Sequence, residues 1–124
     1  MRAADALEKA TRTNPAPLQR FKKELLGLLE EAEQQELRWH LAAMIPRLAL
    51  TPAEISRAAA ALERYLEDRS SIVRTFALQA LADLSQQHPA IRSGVIDRLR
   101  EALRTGTPAM KARSRKLLAK LDRD

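Results

Sequence analysis

The sequence predicts an all-α protein: a right-handed α-solenoid of about three antiparallel helix pairs, preceded by one extra helix. Three observations lead there. The chain has 124 residues, only three glycines and 3% aromatics, with abundant Ala, Leu, Glu, Arg and Lys and few β-branched residues, a composition that favours helix throughout. Pro15, Pro52 and Pro89 stand 37 residues apart, and the columns Leu25/Leu62/Leu99 and Leu29/Leu66/Leu103 keep the same step. A fixed period in this range marks helix pairs that stack side by side, each burying its apolar face on the next.

Residues 2–12 read as a short helix with Ala3, Leu7 and Ala10 on one side, placed to cap the first pair. The first helix of each pair begins near a proline of the column. Proline at the first helical position loses nothing, because its N–H would be unpaired there. Asn14 and Thr51 are good N-caps, and Thr51-Pro52-Ala53-Glu54 spells a capping box. Helical spacing then sets the buried stripes. They are Leu18, Phe21, Leu25, Leu28 and Leu29 in the first pair, Ile55, Ala58, Ala59, Leu62 and Leu66 in the second, and Val95, Ile96, Leu99 and Leu103 in the third.

Each second helix follows after a short connector, which makes neighbours antiparallel. The middle copy is clearest: Asp68-Arg69-Ser70-Ser71 as turn and cap, then Val73, Phe76, Ala77, Ala80, Leu81 and Leu84. The first copy gives Leu37, His40, Leu41, Met44, Ile45 and Leu48; the third gives Met110, Ser114, Leu117, Leu118 and Leu121 behind Thr107-Pro108. One domain over 1–124 is expected, with a cap helix at about 2–12 and repeats at about 15–49, 52–86 and 89–121.

The run Asp68-Arg69-Ser70-Ser71-Ile72-Val73-Arg74, followed by Ala77 and Leu81, resembles the second helix of HEAT repeats: an acidic turn, a Val-Arg step, then small and large apolar residues. The resemblance covers residues 15–121. Leu37-Arg38 stands in place of Val-Arg in the first repeat, Met110-Lys111 in the third, and Ser114 replaces an alanine. The resemblance implies a scaffold or binding surface of armadillo type; some relatives of such arrays grip DNA. Function must still be argued from the site.

No cysteine is present, so disulfides, thiolate catalysis and cysteine-bound metals are excluded. His40 and His88, the two histidines, lie in different repeats, which argues against a metal site; His40 is expected to be buried, at the position Phe76 takes one repeat later. The Glu30, Glu31, Glu33 and Glu36 cluster reads as solvated charge near a helix start. No catalytic signature and no cofactor is expected. With no long apolar run and no signal-like segment at the N-terminus, the expected setting is cytoplasmic, away from membranes.

The candidate partner-binding residues are Arg38, Trp39, Arg74, Thr75 and Gln79. Arg38, Arg74 and Lys111 recur at one repeat position, either lining an anion-binding groove or pairing with turn carboxylates such as Asp68. On a helical wheel Trp39 falls about 200° from the start of the buried stripe, on the face that second helices present to a concave surface. There Thr75 and Ala112 are the matching positions, Ala43, Gln79 and Lys116 the next ones along, and Arg38 and Arg74 flank. A lone tryptophan there is the kind of anchor that dominates interfaces, unless the N-terminal helix folds over it. The leading expectation is a non-catalytic module for a protein or peptide partner. The alternative is nucleic acid. Residues 69–124 carry 12 Lys/Arg against 5 Asp/Glu, and Arg100, Arg104, Lys111, Arg113, Arg115, Lys116 and Lys120 would meet phosphates. The chain is expected as a monomer or weakly self-associated.

Overall fold

A computed structural model of the chain describes residues 2–123. Among them are seven α-helices and no strand: α1 (Arg2–Ala10), α2 (Lys22–Glu31), α3 (Gln35–Met44), α4 (Pro52–Tyr65), α5 (Ser71–Gln87), α6 (Arg92–Thr105) and α7 (Pro108–Arg123). Short 3-10 turns at Ala16–Phe21, Ile45–Arg47 and Pro89–Ile91 precede α2, follow α3 and precede α6. The chain is therefore all-α, as composition predicts.

The Thr51 and Ser70 capping signals form, but Asn14 caps nothing: the chain enters a 3-10 turn behind Pro15 with no side-chain cap. Helices α2 and α6 begin at Lys22 and Arg92 rather than at Pro15 and Pro89. Thr51 Oγ1 accepts from the Glu54 N–H at 3.2 Å while Glu54 Oε1 accepts from the Thr51 N–H at 2.9 Å, and Pro52 occupies the first position of α4. Ser70 caps α5 by accepting from the Val73 N–H. Proline ends α3: Pro46 has no N–H to continue the ladder, so the chain tightens into the 3-10 turn at Ile45–Arg47. At the α6–α7 turn, glycine is required at 106. A Cβ there would lie 2.5 Å from the Ala102 carbonyl oxygen and 2.9 Å from Met110 Cβ.

Helices α2 and α3, α4 and α5, and α6 and α7 pack as consecutive pairs. The second member of each pair also packs on the next, α3 on α5 and α5 on α7, while α1 lies against α3. So α1, α3, α5 and α7 follow one another across one side, and α2 meets α4 on the other. The buried apolar side chains form one contiguous cluster, with Leu29, Leu62, Leu99, Leu81 and Leu84 all inaccessible or nearly so. Removing such a leucine costs ~2–5 kcal/mol.

Two of the expected stripes need correction. In the first pair Phe21 and Leu28 are 43% exposed, and Leu26 is buried instead. The cause is the 3-10 turn through Phe21, which advances about 120° per residue where an α-helix advances 100°, and so rotates the register of α2. In α1 the expected apolar side faces water. Ala3 and Ala10 are exposed, Leu7 is half-buried, and Glu8 and Thr11 are the buried residues. A polar face is buried because Arg47, in the turn after α3, offers it polar partners. Among the described residues no helix is long and apolar enough to cross a membrane.

Candidate functional site

The seam between α1 and α3 is built on charge. Glu8, 2% exposed, accepts from Arg12 Nη2 at 2.6 Å and from Arg47 Nη2 at 2.5 Å. Arg47 also donates to the Glu8 carbonyl at 2.7 Å and to Thr11 Oγ1 at 2.9 Å. The Arg12 hydrogen bond outweighs burial and, with Arg47, holds the Glu8 carboxyl down at about 2. Nearer the start of α1, Asp5 Oδ1 lies 3.2 Å from His40 Nε2, and His40 Nδ1 lies 2.6 Å from the Glu36 carbonyl. His40 is 1% exposed, a structural histidine held between two elements. Its hydrogen bond, with that of Lys9, keeps Asp5 below the usual carboxylate range.

Trp39 sits beside this seam. Its ring stacks on His40 at 3.7 Å and tilts against Phe76 of α5 at 5.1 Å. It is half-buried rather than covered. The N-terminal helix stops at its edge, so Glu8 and Arg12 border an open cavity of about 290 Å³. Trp39, Ala43 and Arg47 line that cavity from the first pair; Phe76, Gln79 and Asp83 line it from α5. Gln79 donates to Asp83 Oδ1 at 3.0 Å and accepts from Arg113 of α7 at 2.7 Å. Burial raises Asp83 above its ordinary value, against the Gln79 hydrogen bond and the charges of Lys120 and Arg113.

Of the five residues predicted for partner binding, the structure brings Trp39 and Gln79 to one cavity. Thr75 is half-buried on the same helix, its hydroxyl donating to the Ser71 carbonyl. Arg38 and Arg74 go elsewhere. Arg38 turns into the junction of the first two pairs, donating to the Ala32 carbonyl at 2.7 Å and to Asp68 Oδ2 at 2.8 Å, with its guanidinium 4.8 Å over the Tyr65 ring. Burial pushes the Asp68 carboxyl up, but the Ser70 N–H and Arg38 outweigh that and hold it low. Tyr65 completes the junction by donating to the buried Leu29 carbonyl at 2.6 Å, and burial pushes its hydroxyl up to about 12.

Arg74 takes the matching place one helix pair on, where among the described residues none fills the role of Asp68. Thr105 stands 37 residues after Asp68, and Arg74 Nε is buried without a hydrogen-bond partner. A cavity of about 190 Å³ remains there, lined by Arg74, Arg98, Thr105 and Gly106 and by two carboxylates, Glu67 and Glu101, neither of which hydrogen-bonds Arg74 Nε. Arg38 and Arg74 thus lie at the joints between successive helix pairs and do not flank the Trp39 surface; long arginine side chains reach past their own helix to the next connector.

Of the cations assigned to the alternative reading, Arg100 and Arg104 lie on α6 and the other five on α7; all are exposed except half-buried Lys111. Among the described residues no group of three or more His, Cys, Asp or Glu is placed to hold a metal ion. Neither the Glu8–Arg47 clamp nor the Asp5–His40 contact is announced by apolar periodicity. The one sequence signal is Asp5 and Glu8 three residues apart on a short helix, which puts two acids on one face. Comparison with protein-family models, curated proteins and solved structures finds no match to this chain.

Proposed function

We propose that the chain is a HEAT-like helical-repeat module, a right-handed α-solenoid of three hairpins with α1 added to the row of second helices, and that it binds a protein or peptide partner without catalysis. The register supports the repeat reading: Arg38 meets Asp68 at the first junction, and Arg74 shares the cavity at the second with Thr105, Glu67 and Glu101. The observation that carries the binding reading is the cavity at Trp39. Its indole is half-exposed over about 290 Å³ of open space, with Phe76 beside it and charged groups around the rim. That volume is at the bottom of the range for small-molecule sites, about 300–1,000 Å³. It suits one or two apolar side chains of a partner, with charged groups positioned to fix orientation.

Affinity purification from native lysate, with and without nuclease, identifies the class of partner, and titration with the recovered partner measures the site. Trp39→Ala is expected to weaken that complex by about 2 kcal/mol. Ala43→Gln, which fills the cavity and leaves the Trp39–Phe76 contact alone, is expected to weaken it as well. Unchanged affinity in both variants would rule out this surface. A second reading has its own observation: Lys111, Arg113, Arg115, Lys116 and Lys120 of α7 have no carboxylate within ion-pair distance among the described residues, as phosphate binding through that helix requires. Nuclease-sensitive recovery would favour it.

A further inference from the structure

Helix α7 borders the α5 wall of the Trp39 cavity without lining it. Gln79, which lines it from α5, accepts from Arg113, and Arg113 and Lys120 are the cations whose charge reaches Asp83 at the cavity's far wall. Arg113, Lys116 and Lys120 follow the i, i+3, i+7 spacing of one helix face, and all three are exposed. The other charged groups on this surface are Glu8, Arg12 and Arg47 on the near side and Asp83 in the middle. Glu8 is shared by two guanidinium groups. Five cations therefore face two carboxylates, and the excess is concentrated on α7.

We infer that the partner is an acidic peptide segment with an apolar anchor, the anchor seated against Trp39 and Phe76 and the carboxylates crossing α5 to Arg113, Lys116 and Lys120. This rests on the peptide-binding reading of the Trp39 cavity and adds the partner's charge and polarity pattern. Helices pack about 8–10 Å apart, so from the α3–α5 groove to α7 is about 15 Å, which an extended chain covers in about four or five residues at ~3.3 Å each. The anchor and the acidic cluster are separated by that distance. Single-stranded nucleic acid fits the same cations less well. A base needs a free aromatic face, and His40 already stacks on Trp39 at 3.7 Å, with Phe76 tilted against the ring.

The test is selection from a displayed library of random peptides against the full chain, repeated on Trp39→Ala and on the triple variant Arg113→Glu, Lys116→Glu, Lys120→Glu, each checked for its helical melting transition. Enriched peptides are expected to pair an apolar residue with acidic residues about four or five positions away. The triple reversal is expected to lower their affinity at least about tenfold, since three opposed charges become like charges. Peptides that need Trp39 but ignore the triple reversal, or that are basic, would overturn the acidic assignment and leave the cavity reading standing. Failure to enrich any peptide would overturn both. So would binding of a labelled single-stranded oligonucleotide that is abolished by the triple reversal and untouched at Trp39.

Discussion

Replacing Glu8 by glutamine should remove the acid sensitivity of α1 docking. In the folded chain the Glu8 carboxyl lies at about 2 against an ordinary 4.5. Each unit corresponds to 1.36 kcal/mol, so the linkage ceiling is about 3 kcal/mol. Because the folded value is depressed, this stability is fully present above the ordinary value of 4.5 and is lost as pH falls from there through about 2. Trp39 is the single tryptophan and shares its cavity with Glu8 and Arg12, so its fluorescence reports on the seam directly. Urea unfolding followed at Trp39 should show the parent losing about 3 kcal/mol more than Glu8→Gln between about pH 5 and pH 2. Asp5, Glu30, Glu54 and Asp68, also held low, titrate in both proteins and cancel in the difference. At neutral pH Glu8→Gln should itself be less stable by about 3 kcal/mol, since it leaves Arg47 without its carboxylate. Parallel pH profiles for the two proteins would refute the buried clamp.

Three further outcomes concern single positions. Tyr65→Phe leaves the buried Leu29 carbonyl unpaired and should cost ~1–2 kcal/mol in chemical denaturation; no change would mean that this hydrogen bond is not formed. Ser114 is fully buried with an unpartnered hydroxyl, so Ser114→Ala should raise stability by about 1 kcal/mol, and a loss would show a partner for that hydroxyl. Thr105→Asp restores at the second junction the carboxylate that Asp68 supplies at the first. With Arg74 Nε as acceptor-seeking partner, it should stabilise by about 1 kcal/mol, an effect that Arg74→Met should abolish; a destabilised Thr105→Asp would break the equivalence of the two junctions.

Much of the helix layout can be read from the chain because it depends on local rules. Pro52, Thr51 with Glu54, and Ser70 each act within one turn, so the starts of α4 and α5 fall where those residues predict, whereas Pro15 and Pro89 lead into 3-10 turns and α2 and α6 begin later. Leucine periodicity is equally informative where helices are plain α, as at Leu62 and Leu99. It fails at Phe21 and Leu28 because a 3-10 turn changes the angle per residue, and nothing apolar in the pattern announces that change.

The site is only half legible. Helical spacing places Trp39 near Ala43 and Gln79, and those three do share a cavity. The same spacing says nothing about where a long side chain ends, and Arg38 and Arg74 end at the junctions between helix pairs. The clamp on α1 depends on contacts between residues 39 positions apart, Glu8 with Arg47. A charged residue on a short amphipathic helix ordinarily faces water, so only the location of Arg47 after the end of α3 reveals that Glu8 is inside.

Solution NMR offers the most direct check that the second helices line up and hold Trp39 at a shared surface. Nuclear Overhauser contacts are predicted from the Trp39 indole to the Phe76 ring and to the Gln79 side chain, together with contacts from the Tyr65 ring to Leu29. A spectrum in which Trp39 contacts neither α5 residue would contradict the arrangement on which the proposed surface is built.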